Sequence, residues 1–341
     1  MSLYASLSRR SRGAAGLIAA ALAVSLAACG GGASGASNSS GSSQSADVSS
    51  PITVLRSTGS TFEPLYIAES QGYFKDAGLN VTIKPGAADT SQNAPSVLNG
   101  EAQFAMTDSS GFIKAAASKL PVQIVSDLQA STTTFAPSDG LVVPAGSSIK
   151  SFADVEGKTI ALPSLGGTLQ FICMYSAEKA GADPSKIHFV ALPLTSLLDA
   201  VKTGKVDGAY VFATFLDAAK AAGMTAIGQG TNALPGLPQA LLFSDTQYLT
   251  SHKAQAAAFV GAIKKAIDYA NKNPDAVRKV DTQYTQLPAA YIANRSIQPF
   301  YSTIDTSTFN TIVSKMKQYG LIDAKPSGTL VWTGAPTGHI Q

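Results

Sequence analysis

Residues 157–168 read GKTIALPSLGGT, and this stretch decides the fold. Its first apolar residues, 159–162, have the length of a buried strand, and Gly166 and Gly167 then turn the chain. Residues 169–180 continue with apolar side chains at helical spacing. A strand that turns into a helix leaves the first helical amides unpaired at the positive end of the helix dipole, which suits an anion or a polar group. Taken without the rest of the chain, a tight loop without a ligand is the simpler interpretation.

Residues 1–28 contain a basic, an apolar and a small-residue region in the order that is typical of a lipoprotein signal peptide. Three arginines between residues 9 and 12 precede a run of small and apolar residues at 14–27. That run is shorter than the roughly 20 residues that a membrane span needs, and it is typical of an export signal. It ends in Leu26-Ala27-Ala28-Cys29, which resembles the bacterial lipoprotein box. We therefore predict cleavage after residue 28 and a lipid on Cys29.

Residues 29–50 contain mostly Gly, Ser, Ala and Asn, which predicts a flexible tether between the lipid and a folded body that starts near Pro51. The chain has 25 Lys plus Arg and 22 Asp plus Glu, and three of the arginines lie in the signal peptide. The remainder therefore has 22 basic and 22 acidic residues, which gives no basic footprint for nucleic acid. After lipidation of Cys29 only Cys173 remains, so we expect no disulfide within the chain.

The body from Pro51 to residue 222 alternates strands and helices in two similar halves. Strands are predicted at 52–55, 79–83, 103–106, 122–125, 159–162, 187–192 and 208–212, and helices at 64–72, 92–98, 111–118, 169–180, 196–203 and 216–222. This order predicts an α/β fold with mainly parallel sheets in two lobes that enclose a cleft. After Gly236 helices follow, at 254–269, 276–284, 288–297 and 309–319, and we expect this helical C-terminal extension to pack against the first lobe.

Seven short motifs resemble one known family in order and spacing: PLYIA at 64–68, GYF at 72–74, GLNV at 78–81, LNGE at 98–101, SFADVEGK at 151–158, GGT at 166–168 and GKVD at 204–207. The chain is similar to the periplasmic-binding-protein-like group that serves ABC importers for nitrate, taurine, aliphatic sulfonates and thiamine-pyrimidine precursors. The resemblance implies a two-lobed type II fold with ligand in the cleft. It places lobe I at residues 51–135 and 234–341 and lobe II at 136–233, with crossings near 132–140 and 228–237.

The family's ligand-binding loops carry over, by position, to twelve residues that follow strands or begin helices. They are Thr58, Ser60, Thr61, Phe62, Asp108, Ser109, Ser110, Gly166, Gly167, Thr168, Thr214 and Phe215. Hydroxyls and amides in these loops suit a small organic oxyanion such as a sulfonate, taurine or nitrate. Arg56 adds a counter-charge or is a solvated surface residue. Glu63 and Asp108 favour a ligand with an amino group, although Asp108 also fits a plain helix N-cap.

The resemblance implies a monomeric, exported solute-binding lipoprotein that delivers its ligand to a permease and its ATPase, anchored to the cell membrane and facing the periplasm or the outer surface. Alternatives are a binder of a thiamine-pyrimidine precursor or an aromatic carboxylate, and an enzyme or sensor on the same fold. We predict no catalytic residues, cofactor or metal site, because His188, His252 and His339 are scattered and Cys173 falls within a helix as a buried thiol.

Overall fold

A computed structural model describes residues 48–57, 61–87, 89–136, 138–228 and 230–340. Its strands are β1 Pro51–Arg56, β2 Asn80–Pro85, β3 Phe104–Thr107, β4 Val122–Ala130, β5 Asp139–Val143, β6 Thr159–Leu162, β7 His188–Ala191, β8 Gly208–Phe212, β9 Thr225–Ile227 and β10 Pro238–Asp245. Its α-helices are α1 Glu63–Ser70, α2 Tyr73–Asp76, α3 Ala94–Leu98, α4 Ser109–Ala117, α5 Thr168–Lys179, α6 Leu197–Lys202, α7 Thr214–Ala221, α8 Thr246–Ser251, α9 Lys253–Lys272, α10 Pro274–Tyr284, α11 Ala289–Asn294 and α12 Thr306–Gln318. None of the helices in these ranges is long and apolar enough to cross a membrane.

The strands form two five-stranded sheets of the same design. The first sheet has the order β2-β1-β3-β10-β4 and the second the order β7-β6-β8-β5-β9. In the first, β1 is parallel to β2 and β3, whereas β10 is antiparallel to β3 and β4. In the second, β6 is parallel to β7 and β8, whereas β5 is antiparallel to β8 and β9. The predicted α/β fold is confirmed: in each sheet four strands run in one direction, and a single strand, β10 in the first sheet and β5 in the second, runs against them.

The strand β10 is the largest element that the sequence analysis missed. Its burial pattern is nearly continuous because it lies between β3 and β4 in the middle of the first sheet. A strand that is buried on both faces has no alternation of apolar and polar residues, so its pattern is not distinct from that of a helix. Pro238 stands at its first residue, where a strand tolerates proline.

The chain passes from the first sheet to the second between Ala130 and Asp139 and returns between Ile227 and Pro238. Strands therefore change sheets in the two segments where the sequence analysis expects crossings. The bounds of the lobes stay a prediction. Near α5 the two sheets share one apolar core, in which Phe112 and Phe309 of the first lobe pack with Phe171 of the second.

The helical C-terminal extension packs against the first sheet, as predicted. Phe259 of α9 stacks on Phe104 of β3 with ring centroids 4.1 Å apart, and on Phe74 at 5.6 Å. Ile263 and Ile267, one and two turns further along α9, are buried in the same cluster. Burying each such side chain stabilises the fold by about 1.5–3 kcal/mol, so α9 is an integral part of the first lobe.

Helix α5 contacts the first lobe at both ends, through Ser110 of α4 at its start and through α12 at its end. Cys173 in its middle is fully buried, and desolvation raises the pKa of its thiol to about 12. At its end, Glu178 accepts hydrogen bonds from Lys315 Nζ at 2.7 Å and from Gln318 Nε2 at 3.0 Å, both from the α12 region. These contacts fix the direction of α5, whose first turn faces the first lobe.

Candidate functional site

A cavity of about 550 Å³ lies between the two sheets. It is lined by Ser57, Thr61, Glu63, Asp89, Thr90, Asp108, Gln129, Ser138, Asp139, Pro163, Ser164, Gly167, Thr168, Leu169, Phe212, Ala213, Thr231, Gln239, Tyr291, Arg295, Ser296 and Gln298. Four of its wall segments directly follow or end the parallel strands β1, β3, β6 and β8. The carboxyl ends of such strands are where open α/β sheets bind ligands.

Of the residues predicted to bind ligand, Thr61, Asp108, Gly167 and Thr168 line this cavity. Thr58 and Ser60 lie outside the described residues, and so does the predicted lipidation site, Cys29. The remaining six, which are Phe62, Ser109, Ser110, Gly166, Thr214 and Phe215, are near the cavity in sequence but are not part of its lining.

Phe62 and Arg56 lie in the core of the first lobe. Phe62 is fully buried, and the guanidinium carbon of Arg56 lies 4.3 Å from its ring centroid. Arg56 Nε donates to Tyr66 Oη at 3.0 Å, and Nη1 donates to the Ser57 carbonyl at 2.7 Å. Arg56 is thus a buried packing residue, so its interpretation as a solvated surface residue is wrong, and its role as a counter-charge stays a prediction.

Ser109 and Ser110 are buried in protein contacts. The Ser109 hydroxyl donates to the Pro238 carbonyl, and the Ser110 hydroxyl accepts from Thr168 Oγ1 at 3.2 Å. Because Ser110 belongs to α4 and Thr168 to α5, this bond joins the two lobes directly. Asp108 caps α4, as predicted, by accepting from the Gly111 amide at 2.6 Å.

Thr214 and Phe215 lie within the first turn of α7, and Phe215 packs partly buried against an apolar cluster of the second lobe. The cavity is instead met by Phe212 and Ala213, directly before this helix. Ala213 has a φ of 49°, which is uncommon for a residue with a Cβ, and this turn directs the following residues away from the cavity.

The glycine elbow has the predicted form: β6, a turn, then α5 beginning at Thr168 with Gly167 at the N-cap. Gly166 has a φ of 73°, and a Cβ there would lie 2.2 Å from Lys114 Nζ of the first lobe. Gly166 therefore permits close approach of the lobes. Gly167 and Thr168 border the cavity, so the positive end of the 12-residue helix α5 lies at its wall.

A buried ionic cluster of Glu63, Arg295 and Asp281 meets the cavity through Glu63 and Arg295. Arg295 Nη2 donates to Glu63 Oε1 at 2.8 Å and to Asp281 Oδ2 at 2.6 Å, and Arg295 Nε donates to the same Asp281 oxygen at 2.9 Å. The Glu63 and Asp281 side chains are 1% and 0% exposed. Their positions, 63, 281 and 295, are far apart in the chain, so no local sequence pattern indicates the cluster.

Two carboxylates share one guanidinium in this cluster, and the charges do not balance. Burial raises the pKa of Glu63 to about 7, Arg295 opposes the rise, and the nearby Asp281 carboxylate adds to it. Among the described buried atoms, Glu63 Oε2 and Asp281 Oδ1 have no hydrogen-bond partner. Gln239 Nε2, a donor on the same cavity, has none either.

Asp139 is a second buried carboxylate of the lining that the sequence analysis did not select. It accepts from Tyr210 Oη at 2.9 Å, from Thr231 Oγ1 at 2.9 Å and from the Thr231 amide at 3.0 Å. Burial raises the pKa of this carboxyl, and the hydrogen bonds from Thr231 and Tyr210 oppose the rise. It connects the start of β5 to β8 and to the returning crossing segment.

The cavity is acidic. Among the described residues that line it, Glu63, Asp89, Asp108 and Asp139 are carboxylates and Arg295 is the one cation. The described residues contain no group of His, Cys, Asp and Glu side chains that could hold a metal ion. The arrangement can therefore bind an amino group by its carboxylates and an oxyanion at the first turn of α5.

The buried carboxylates predict that stability falls as pH rises. Glu63 has an ordinary pKa of 4.5 and a folded-state pKa of about 7, so the folded protein holds its proton more tightly and loses stability between these values. At 1.36 kcal/mol per pKa unit this amounts to about 3 kcal/mol for Glu63, and burial raises the pKa of Asp127 and Asp139 in the same direction.

Denaturant unfolding at about pH 5 and about pH 7.5 measures this difference. We expect the higher free energy of unfolding at the lower pH and a flatter dependence in Glu63→Gln. Glu69→Gln, an exposed carboxyl on the same helix, is the matched control and should keep the wild-type slope. Greater stability of the wild type at about pH 7.5 would contradict a buried, proton-binding Glu63.

Comparison with known proteins places these features in context. The sequence model of the family described as NMT1/THI5 like matches residues 60–277. The chain is 24% identical over 247 residues to a taurine-binding periplasmic protein of Escherichia coli (strain K12), covering 72% of this chain and 68% of that protein.

Two solved structures illustrate the likeness in fold. The periplasmic aliphatic sulphonate binding protein SsuA from Escherichia coli superposes with a TM-score of 0.68 at 16% identity, covering 85% of this chain and 94% of that one. The periplasmic nitrate-binding protein NrtA from Synechocystis PCC 6803 has a TM-score of 0.60 at 14% identity, covering 81% and 83%. At these identities the likeness shows a periplasmic-binding-protein fold.

Proposed function

Because this chain belongs to the NMT1/THI5-like family, we propose that it is the solute-binding component of an ABC importer and that the interlobe cavity is its ligand site. The observation that carries the proposal is the position of the cavity, which is walled by the carboxyl ends of strands from both sheets. The relatives named for taurine, sulphonate and nitrate binding support a substrate-binding role.

The ligand that we propose is a small organic oxyanion of the sulfonate, taurine and nitrate kind, seated against Gly167 and Thr168. Amides at a helix N-terminus bind such a group without a full counter-charge. Within this class the acidic wall favours a zwitterion. A taurine-like molecule would place its oxyanion at α5 and its ammonium near Glu63, whereas nitrate has no group for the carboxylates.

A second candidate is a thiamine-pyrimidine precursor, and one specific observation favours it. Glu63 Oε2 is a buried acceptor and Gln239 Nε2 a buried donor, both without partners among the described residues. The aminopyrimidine edge offers a donor beside an acceptor, and a buried polar group without a partner is costly. Such a ligand would satisfy both atoms.

We propose capture by closure of the lobes around the ligand, with the crossing segments as hinges. The Thr168–Ser110 hydrogen bond already joins the lobes beside the cavity. Binding rather than catalysis is proposed because Cys173, the buried thiol of α5, is fully covered and its raised pKa keeps it protonated at neutral pH.

We infer that the protein is an exported monomer, held by a lipid on Cys29 and by the tether of residues 29–50, with a permease and its ATPase as partners. The order of basic, apolar and small residues before Cys29 supports this inference. Replacing Cys29 with serine should release the protein from the membrane fraction. A Cys29→Ser protein that stays in that fraction would contradict lipid anchoring at this residue.

A thermal-shift panel tests the ligand class. We would use taurine, ethanesulfonate, nitrate, an aromatic carboxylate and hydroxymethyl-aminopyrimidine. A ligand at about a hundredfold above its Kd stabilises the folded state by about 2.7 kcal/mol, which is an easily measured shift. We expect the largest shift with taurine. A shift with the aminopyrimidine and no anion would favour the second candidate, and no shift with any compound would contradict both ligand classes.

Thr168 offers a matched pair of variants for the oxyanion seat. Thr168→Pro removes one amide donor at the first helical position, where proline is tolerated and where the extended backbone of Gly167 suits a following proline. Thr168→Val keeps the amide and loses the same hydroxyl, so the two variants differ in the amide donor. We expect the proline variant to bind the anion about tenfold to a hundredfold more weakly, because a hydrogen bond to a charged group is lost. Equal affinities in the two variants would argue against this seat.

A further inference from the structure

The Glu63–Arg295–Asp281 cluster has one positive charge too few for two buried carboxylates. Arg295 reaches both carboxylates through Nη2, and its Nε adds a second bond to Asp281. Glu63 lines the cavity, and the Asp281 carboxyl lies behind it within hydrogen-bonding reach. An isolated buried charge is strongly unfavourable, so the cluster needs another cation or a proton.

The groups that surround the cluster do not supply that charge. Tyr291 of α11 lies beside Arg295 with its pKa raised by burial, so it is a neutral phenol. Arg56 of β1 is bonded to Tyr66 and to the Ser57 carbonyl instead. Arg278 of α10 is paired with Asp275. Glu63 Oε2 and Asp281 Oδ1 are left without donors among the described residues.

We propose that Glu63 is the residue that selects a ligand with a cationic nitrogen, and that this nitrogen replaces a proton on the Glu63 carboxyl. This inference rests on the proposed ligand-binding function. In the empty cavity the Glu63 carboxyl holds this proton within hydrogen-bonding reach of Asp281. When an ammonium or a similar N–H donor binds against Glu63, the Glu63 carboxyl is ionised and its proton leaves to solvent.

The pKa of Glu63, raised by burial to about 7, places this exchange in a measurable range. Below that pH one proton is released for each amine bound, so amine affinity rises about tenfold per pH unit and levels off above about pH 7. An anion without an amino group has the opposite pH dependence. Its affinity is higher at low pH, where Glu63 is protonated and has no negative charge to repel it. The sign of the pH dependence thus distinguishes the two ligand types.

The experiment compares three probes that differ in their charged ends: taurine, ethanesulfonate and ethylammonium. Calorimetry at about pH 6 and about pH 8, in two buffers with different heats of ionisation, gives the affinity and the number of protons released. We expect taurine and ethylammonium to bind more tightly at the higher pH, with about one proton released at the lower pH. Ethanesulfonate should bind more weakly than taurine at both.

Two variants complete the test. Glu63→Gln keeps an acceptor for Arg295 and leaves Arg295 and Asp281 as a neutral pair, so it should fold. We expect it to bind taurine about tenfold or more weakly and without proton release. Glu69→Gln, exposed on the same helix, should bind like the wild type. If Glu63→Gln does not fold, the proton count of the wild type decides the question.

Equal binding of taurine and ethanesulfonate without proton release would overturn this inference and leave the solute-binding function intact. Failure of ethylammonium and taurine to bind at any pH would also overturn it, because a cation site should accept a simple ammonium ion. In that case binding of ethanesulfonate or of the aminopyrimidine would still support the solute-binding function.

Discussion

Replacing Arg295 with methionine is expected to destabilise the protein by about 3–5 kcal/mol at neutral pH, because it leaves two buried carboxylates without their cation. Arg295 is 12% exposed, and its partners Glu63 and Asp281 are almost completely buried. The loss should be larger at about pH 8 than at about pH 5, where the Glu63 carboxyl is protonated instead. Denaturant unfolding at the two pH values measures both effects.

Arg278→Met on α10 is the control for this substitution, since Arg278 pairs with Asp275, whose side chain is 98% exposed. Exposed pairs of this kind contribute about 0.2–1 kcal/mol, so the control should be close to wild type. Adding Glu63→Gln to Arg295→Met should recover part of the loss, because one of the unpaired charges is removed. If Arg295→Met and Arg278→Met had the same free energy of unfolding at neutral pH, the Glu63–Arg295–Asp281 cluster would not stabilise the fold.

The elements that local sequence signals define were predicted well. The strand Thr159–Leu162 and the start of α5 follow from an apolar run and a glycine pair. The cap Asp108 was predicted too, because a cap is a contact between neighbours in sequence. In contrast, β10 depends on the sheet around it, which a local pattern does not contain.

The residues of the candidate site also fall into two groups: some have a local sequence signal, and others are brought together only by the fold. Gly167 and Thr168 were found because a helix N-terminus has a local sequence signature, whereas Phe62 and Ser110 were assigned to ligand although their side chains are buried in protein contacts. A loop residue's type does not say which way its side chain points. The bond between Glu63 and Arg295 joins residues 232 positions apart, so only the fold brings it into view.

Asp139→Ala is expected to destabilise the protein by about 3–6 kcal/mol. Asp139 is 5% exposed and accepts hydrogen bonds from three buried donors, which are the Tyr210 hydroxyl and the hydroxyl and amide of Thr231. Alanine has no acceptor, and each buried donor left unpaired costs about 1–3 kcal/mol. Asp139→Asn keeps one acceptor oxygen and should lose less than the alanine variant.

Asp217→Ala, an exposed aspartate in the same lobe, is the matched control and should lose less than about 1 kcal/mol. Tyr210→Phe combined with Asp139→Ala tests the contact directly, because removing both partners should cost less than the sum of the single changes. Additive losses would show that the contact with Tyr210 contributes nothing, and an alanine variant as stable as the control would exclude a structural role for this carboxylate. Thr231 and Asp139 both line the cavity. Loss of their bond should therefore also lower the ligand affinity, because the segment that returns to the first sheet is then no longer held to β5.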